Sequence, residues 1–190
     1  MAKVKVGPGP YLYPMPVVLV GAQVKGRPNY LTVAFAGIVN LQPAIIALGL
    51  GRKHYTNLGI KKNKTFSVNI PSPKLVKATD FCGIYSGHRV DKSGVFKSFY
   101  GKLKTAPMIE ECAVNLECRL VRIIPLEADE LVLGEIMEVY VDKKCLTRGA
   151  PDVRKIKPMV FTVPDNRYWA LGKAVGPAWK IGKTFSGKHK

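Results

Sequence analysis

Asn29-Tyr30-Leu31-Thr32-Val33-Ala34-Phe35-Ala36-Gly37-Ile38-Val39-Asn40 and, after Leu41 and Gln42, Pro43-Ala44-Ile45-Ile46-Ala47-Leu48-Gly49-Leu50-Gly51 decide how this chain reads. Both runs are β-branched and small, the composition that suits a pleated, half-buried surface. Arg52-Lys53-His54-Tyr55-Thr56 follows at once, then Ile60, then Phe66-Ser67-Val68-Asn69-Ile70-Pro71, whose Phe66–Ile70 segment alternates as a strand. Between them the pattern from His54 to Lys62 predicts a helix with Leu58 and Ile60 inward and Thr56 as its N-cap. Lys61, Lys62 and Lys64 fall at its C-terminal end, where cations complement the dipole. The turn after Gly51 therefore sets a cation, an imidazole and a hydroxyl at a helix start. Free backbone N–H groups and the positive dipole end make that a place for a phosphate.

Outward from this stretch the pattern stays mainly β. Residues 1 to 16 are rich in Gly and Pro and predict an extended lead-in. Val17 to Ala22 is a buried strand, and Lys25-Gly26-Arg27-Pro28 turns it into the Asn29 strand as an antiparallel hairpin. Gly37 and Pro43 punctuate the next connection. Pro73 to Tyr85 carries Leu75, Val76, Ala78, Thr79, Cys82 and Ile84 at helical spacing, and Ser86 to Ser93 is a polar loop. Val114, Leu116, Cys118 and Leu120 alternate with polar neighbours, then the phase slips to Val121 and Ile123 around Arg122, as at a β-bulge or a barrel corner. Glu127 to Glu130 makes an acidic turn into Leu131–Val141. Met159–Val163 and Arg167–Leu171 flank a Pro164-Asp165-Asn166 turn. One β-barrel-based domain over 1–190 is expected, with a few helices and a basic tail from 173 to 190.

Composition bounds the chemistry. The 190 residues are 47% apolar, enough for a sizeable core, and no apolar run reaches membrane-span length. The start has no secretory pattern, so a cytoplasmic protein is expected and the Asn63-Lys64-Thr65 acceptor match is chance. Cys82, Cys112, Cys118 and Cys145 have no metal-ligand spacing and read as reduced, buried thiols. The formal charge is +17, and the first acid is Asp80. Such a field attracts phosphate-bearing ligands or nucleic acid. Against nucleic acid, the bases are scattered between apolar strands and no recognition motif is present. Side-chain catalysis lacks its parts. His54, His88 and His189 have no partnered nucleophile, Glu110-Glu111 reads as a solvated face, and Gly49-x-Gly51 lacks the rest of a dinucleotide fingerprint. That leaves a borrowed cofactor.

Asn29-x-x-Thr32-Val33-Ala34, Arg52-x-His54-x-Thr56, Ile60 and Phe66-x-Val68-Asn69-Ile70-Pro71 resemble the core of the flavin reductase-like, flavoredoxin-type FMN-binding family. Tyr13-Pro14-Met15-Pro16-Val17-Val18-Leu19-Val20-Gly21 and Cys82-Gly83-x-x-Ser86-Gly87-x-x-Val90-Asp91-Lys92 extend the resemblance over the first half of the chain, with a looser echo at Tyr168-Trp169-x-Leu171-Gly172. It implies an FMN-binding split β-barrel (FAD in some members) and a homodimer with the flavin near the subunit interface. By position, Arg52, His54 and Thr56 would hold the phosphate. Asn29 and Thr32 would contact the flavin chain or ring, and the backbone of Val33, Ala34 and Phe35 would follow the isoalloxazine edge. Asn40, Gly51, Tyr55 and Lys92 complete the implied cofactor-binding set. Each has a structural alternative: Thr56 as a cap, Asn40 as a turn closer, Thr32 as a β-former, Arg52 and His54 as solvated groups, and Tyr168 and Trp169 as core or interface. The implied activity is NAD(P)H-dependent flavin reduction, with hydride passing from nicotinamide C4 to flavin N5. The alternatives are a flavoredoxin-like FMN electron carrier reduced by a redox protein partner and, in another class, a basic nucleic-acid-binding barrel.

Overall fold

The computed structural model describes residues 2 to 185; His189 and the last lysines of the basic tail lie outside the described residues. The strands are β1 (Met15–Pro16), β2 (Val18–Val24), β3 (Arg27–Val33), β4 (Ala36–Leu41), β5 (Ala44–Gly51), β6 (Thr65–Ile70), β7 (Ser98–Phe99) and β8 (Met108–Ile109). They continue as β9 (Val114–Pro125), β10 (Asp129–Val141), β11 (Leu146–Thr147), β12 (Ala150–Pro151), β13 (Met159–Thr162) and β14 (Arg167–Ala170). Helices α1 (Tyr55–Asn63), α2 (Val76–Ile84) and the short α3 (Val153–Ile156) interrupt them.

Seven strands form the principal sheet in the order β3-β2-β6-β9-β10-β5-β4, every neighbouring pair antiparallel. The two ends of that order, β3 and β4, are edges, so the sheet curls around its core as a split β-barrel. The largest of three core clusters includes Val20, Ala22, Leu48, Leu50, Phe66 and Val132. The tip of the Phe66 ring sits against Gly134, where an added Cβ would come within 2.2 Å of it; only glycine lets the aromatic seat there. The β9–β10 ribbon bends at two bulges. Leu133 pairs with Arg122 and Gly134 with Leu120, which leaves Val121 unpaired where the sequence phase slips. A second register shift falls between Ile136 and Glu138.

Several local expectations are corrected. Arg27 and Pro28 belong to β3, and the turn is Lys25-Gly26 alone, with φ of 50° and 80°. Two left-handed residues match the twist of the flanking strands, and a proline is tolerated because β3 is an edge. The Asn29–Asn40 run breaks into two strands at Ala34-Phe35, where the Phe35 carbonyl accepts the Gly49 N–H at 2.8 Å. Gly37 then sits inside β4, which folds onto β5 through Gln42-Pro43. Pro73–Leu75 is a 3-10 turn before α2, and Ile84 is 65% exposed. Leu58 also faces outward, at 48% exposure, while Thr56, Asn57, Gly59 and Ile60 are buried. The cause is close packing: a Cβ on Gly59 would lie 2.5 Å from the Gln23 carbonyl, so α1 rests on β2 through its small residues. Main-chain approach, and not the largest apolar side chain, sets the rotation of this helix.

β1, β13 and β14 form a satellite sheet. Its Phe161 and Tyr168 rings, with centroids 5.6 Å apart, reach the β3 edge beside α2.

Candidate functional site

The β3 edge, α2 and the loop after it enclose a groove of three adjoining chambers. The outer chamber, about 330 Å³, has Lys25, Arg27, His88 and Arg89 around its mouth. The inner one, about 140 Å³, is bounded by His54, Thr56 and Ser86, and shares Asn29, Tyr55, Gly87 and Lys92 with the outer. The third, about 320 Å³ and mainly apolar, lies against Thr32, Ala34, Phe161 and Tyr168, and meets the inner chamber at Gly83 and Ile84. Along β3, then, the groove passes from cationic to apolar.

Lys92 is the most demanding residue in it. Only 2% exposed, it donates from Nζ to the Tyr30 carbonyl at 2.9 Å and to the Cys82 carbonyl at 2.8 Å. Among the described residues no carboxylate pairs with it. Burial accordingly holds its pKa below the usual lysine value. A buried cation without a counter-charge is unfavourable by several kcal/mol, and an ammonium has three donors of which two are used. An anion in the groove would satisfy both deficits.

The inner chamber adds a helix start. His54 occupies the N-cap position of α1 and makes no side-chain cap hydrogen bond, so the first N–H groups of the helix have no side-chain acceptor there. Thr56 is not the cap: it is buried in the first turn, and its Oγ1 accepts from Asn29 Nδ2 at 2.7 Å. Burial, then the charge of Lys92, lower the His54 pKa, with Asp129 opposing. Gly87 closes the wall, since a Cβ there would lie 2.4 Å from both Asn29 Oδ1 and Tyr55 Cδ1. The Tyr55 ring meets His88 edge-on at 4.7 Å.

In the apolar chamber Thr32 Oγ1 donates to the Thr79 carbonyl, while the Thr79 hydroxyl is buried without a partner. Tyr168 OH donates to Asp80 Oδ1 at 2.9 Å, and burial with that carboxylate raises the phenol to about 12. The β3 edge is bonded to β2 on one side only, so alternate backbone groups of the strand face the groove.

Not every candidate converges here. Asn29, Thr32, Ala34, His54, Tyr55, Thr56 and Lys92 line the groove. Arg52 does not: its Nε donates to the Asp129 carbonyl at 3.2 Å and its Nη2 to the Leu126 carbonyl, strapping the β9–β10 turn. With Gly51 it edges a separate surface hollow, joined to the inner chamber through His54. Asn40 Nδ2 donates to the Pro43 carbonyl at 2.7 Å and closes the β4–β5 turn. The Val33 side chain is in the core, and Phe35 is exposed with its carbonyl on Gly49. Sequence reasoning missed Lys25, Arg27, Arg89, Asp80 and the placement of Tyr168. Their one signal was the polarity of the Ser86–Ser93 loop, because the others meet only through the hairpin and the satellite sheet.

With this geometry in view, the comparisons are specific. A family model described as a flavin reductase like domain matches residues 11–162. The crystal structure of flavoredoxin from Methanosarcina acetivorans matches with a TM-score of 0.94 at 45% identity, covering 96% of this chain and 98% of that one. Flavoredoxin of Desulfovibrio vulgaris (Miyazaki F) matches with a TM-score of 0.89 at 35% identity, over 95% and 100% of the two chains. A curated relative, the NADPH-flavin oxidoreductase of Streptomyces viridifaciens, is 26% identical over 127 residues, 66% of each chain.

Proposed function

The chain belongs to the flavin reductase-like family, flavoredoxin type, and from that premise we propose that the β3 groove binds FMN and that the protein is an NAD(P)H-dependent flavin oxidoreductase. The observation that carries the reading is Lys92, a buried cation with carbonyl partners alone. Its open donor and the uncapped start of α1 suit the anionic part of the cofactor, with Thr56, His54 and Asn29 around it. Thr32, Ala34 and the open backbone edge of β3 suit the ring, which needs an apolar wall and alternating donors and acceptors. Bound there, the flavin supplies the electron chemistry; the chain supplies placement, water exclusion and positive potential.

A homodimer fits the same reading. β4 exposes Ile38, Val39 and Leu41 as an unpaired apolar edge, the kind of strand that is normally covered. No described helix is long and apolar enough to cross a membrane, and the cysteines are free; both accord with a cytoplasmic site of action. The flavoredoxin relatives favour a second reading, an FMN electron carrier reduced by a protein partner.

Purified protein titrated with FMN should quench the flavin fluorescence to a one-per-chain end point. A well-folded chain that leaves excess FMN unbound would defeat the proposal. Steady-state oxidation of NADH or NADPH with added FMN then separates the readings. No turnover with either nucleotide, together with reduction by a ferredoxin or hydrogenase system, selects the carrier.

A further inference from the structure

The apolar chamber has one charged side chain in its wall, and its sign is opposite to most of the groove. Asp80 stands there among Val17, Ala34, Ile84 and Phe161, whereas Lys25, Arg27, Arg89 and Lys92 line the outer chamber. The acid of the outer chamber, Asp91, is neutralised by Arg27 at 2.8 Å. Asp80 is half-buried, and among the described residues no cation pairs with it. Its partner is the Tyr168 phenol, which donates to Oδ1 at 2.9 Å.

Both members of this pair are fixed from behind. Asp80 lies in α2 between two tied carbonyls: Thr79 accepts from Thr32 Oγ1, and Cys82 accepts from Lys92 Nζ at 2.8 Å. Tyr168 is fastened in β14, opposite Phe161 across the satellite sheet. A latch between α2 and that sheet would need only an acceptor for the phenol, and a neutral amide supplies one equally well. What the carboxylate adds is charge, set against an apolar wall where it is poorly screened.

Such a charge acts on a ring whose own charge changes. Uptake of two electrons and one proton leaves an isoalloxazine one unit more negative. A fixed anion beside it opposes that form and leaves the neutral oxidised ring nearly untouched. Lys92 pulls the other way from the inner chamber, so the two ends of the groove carry fixed charges of opposite sign.

We propose that Asp80, held in place by Tyr168, is a potential-setting residue. It weakens binding of the anionic reduced flavin relative to the oxidised form, and so makes the bound cofactor a stronger reductant. Asp80 and Tyr168 themselves exchange no electrons. The inference rests on the flavin reading of the groove.

The test compares the full chain with Asp80→Asn, Asp80→Ser, Tyr168→Phe and the double variant Asp80→Asn with Tyr168→Phe. The two-electron midpoint potential of bound FMN is measured against reference dyes at one fixed pH, and the flavin-free proteins are melted alongside. Asp80→Asn keeps an acceptor for the phenol and should melt close to wild type. Its preference for reduced over oxidised FMN should rise about tenfold, an upward shift of about 30 mV for a two-electron couple. Asp80→Ser, a second neutral acceptor, should shift the potential the same way. Tyr168→Phe frees the carboxylate to turn into solvent, so the potential should rise by less, and adding Asp80→Asn to it should contribute a smaller step than Asp80→Asn alone. A shift below about 9 mV in both Asp80 variants, less than about twofold in that preference, would overturn the proposal and leave the pair as a latch. A full-sized step in the Tyr168→Phe background would overturn the holding role of Tyr168. Wild-type protein that binds no FMN would sink the flavin reading and the inference together, an outcome the binding titration reports before any potential is measured.

Discussion

The two edges of the principal sheet, β3 and β4, have opposite burial. β3 is covered by α2 and the loop to Lys92, so four of its seven residues, Asn29 among them, are buried, and Thr32 turns toward a groove. β4 is bare: of its six residues only Ala36 is partly covered, and Leu41 is 83% exposed. An edge strand needs a partner for its unpaired backbone. The chain answers that need twice, with its own helix and a polar groove on one side and with an apolar surface on the other. Buried polar groups without full satisfaction mark a small-molecule site; exposed apolar ones mark a protein contact.

The sharpest way to break this contrast is Lys92→Met. Hydrogen bonds to charged groups contribute about 1.5–3 kcal/mol, so FMN affinity should fall roughly tenfold to a hundredfold in a fluorescence titration. The flavin-free protein should melt close to wild type, since removal of an uncompensated buried cation offsets the loss of its two hydrogen bonds to the Tyr30 and Cys82 carbonyls. Unchanged FMN affinity would return the lysine to a purely structural role. On the other edge, if the proposed homodimer forms through β4, Ile38→Lys with Leu41→Lys should give a folded monomer in sedimentation velocity; a dimer that persists would move the interface away from β4.

The smallest effect lies in the pH dependence of the flavin-free protein. Lys92 and His54 both have folded-state pKa values below their ordinary 10.5 and 6.5. In the window between each depressed value and its ordinary one the unfolded chain holds more protons, so stability rises with pH. For His54 that contribution is present above pH 6.5 and is lost as pH falls toward its depressed value. For Lys92 it grows as pH climbs toward 10.5, while FMN affinity declines as the ammonium is lost. Thermal melts across pH should show both rises, with Lys92→Met flattening the upper and His54→Gln the lower.

Much of the fold was legible because strand alternation is local. The phase slip at Val121 located the bulge, and Phe66–Ile70 fell within β6 as read. The rotation of α1 was not legible. Leu58 is the residue hydropathy would bury, yet Gly59 touches a main-chain carbonyl on β2 and turns Leu58 out. The site divides in the same way. Asn29, Thr32, His54, Thr56 and Lys92 were recognisable as residue types in ordered blocks, and they do meet in one groove. Arg52 looked like a companion of Thr56, but the β9–β10 turn, more than seventy residues on, offers its carbonyls to that guanidinium.

Sequence by itself thus determined the strand-rich class, the family and the cationic character of the N-terminal half, because periodicity, block order and charge are properties of the chain read along its length. Tertiary structure alone decided which cation is buried without a counter-charge, which is diverted to a turn, and that Lys25, Arg27 and Arg89 share a chamber with Lys92. Those outcomes depend on desolvation and on groups tens of residues apart competing for the same donors, and neither exists until the sheet has curled and its edges have been covered.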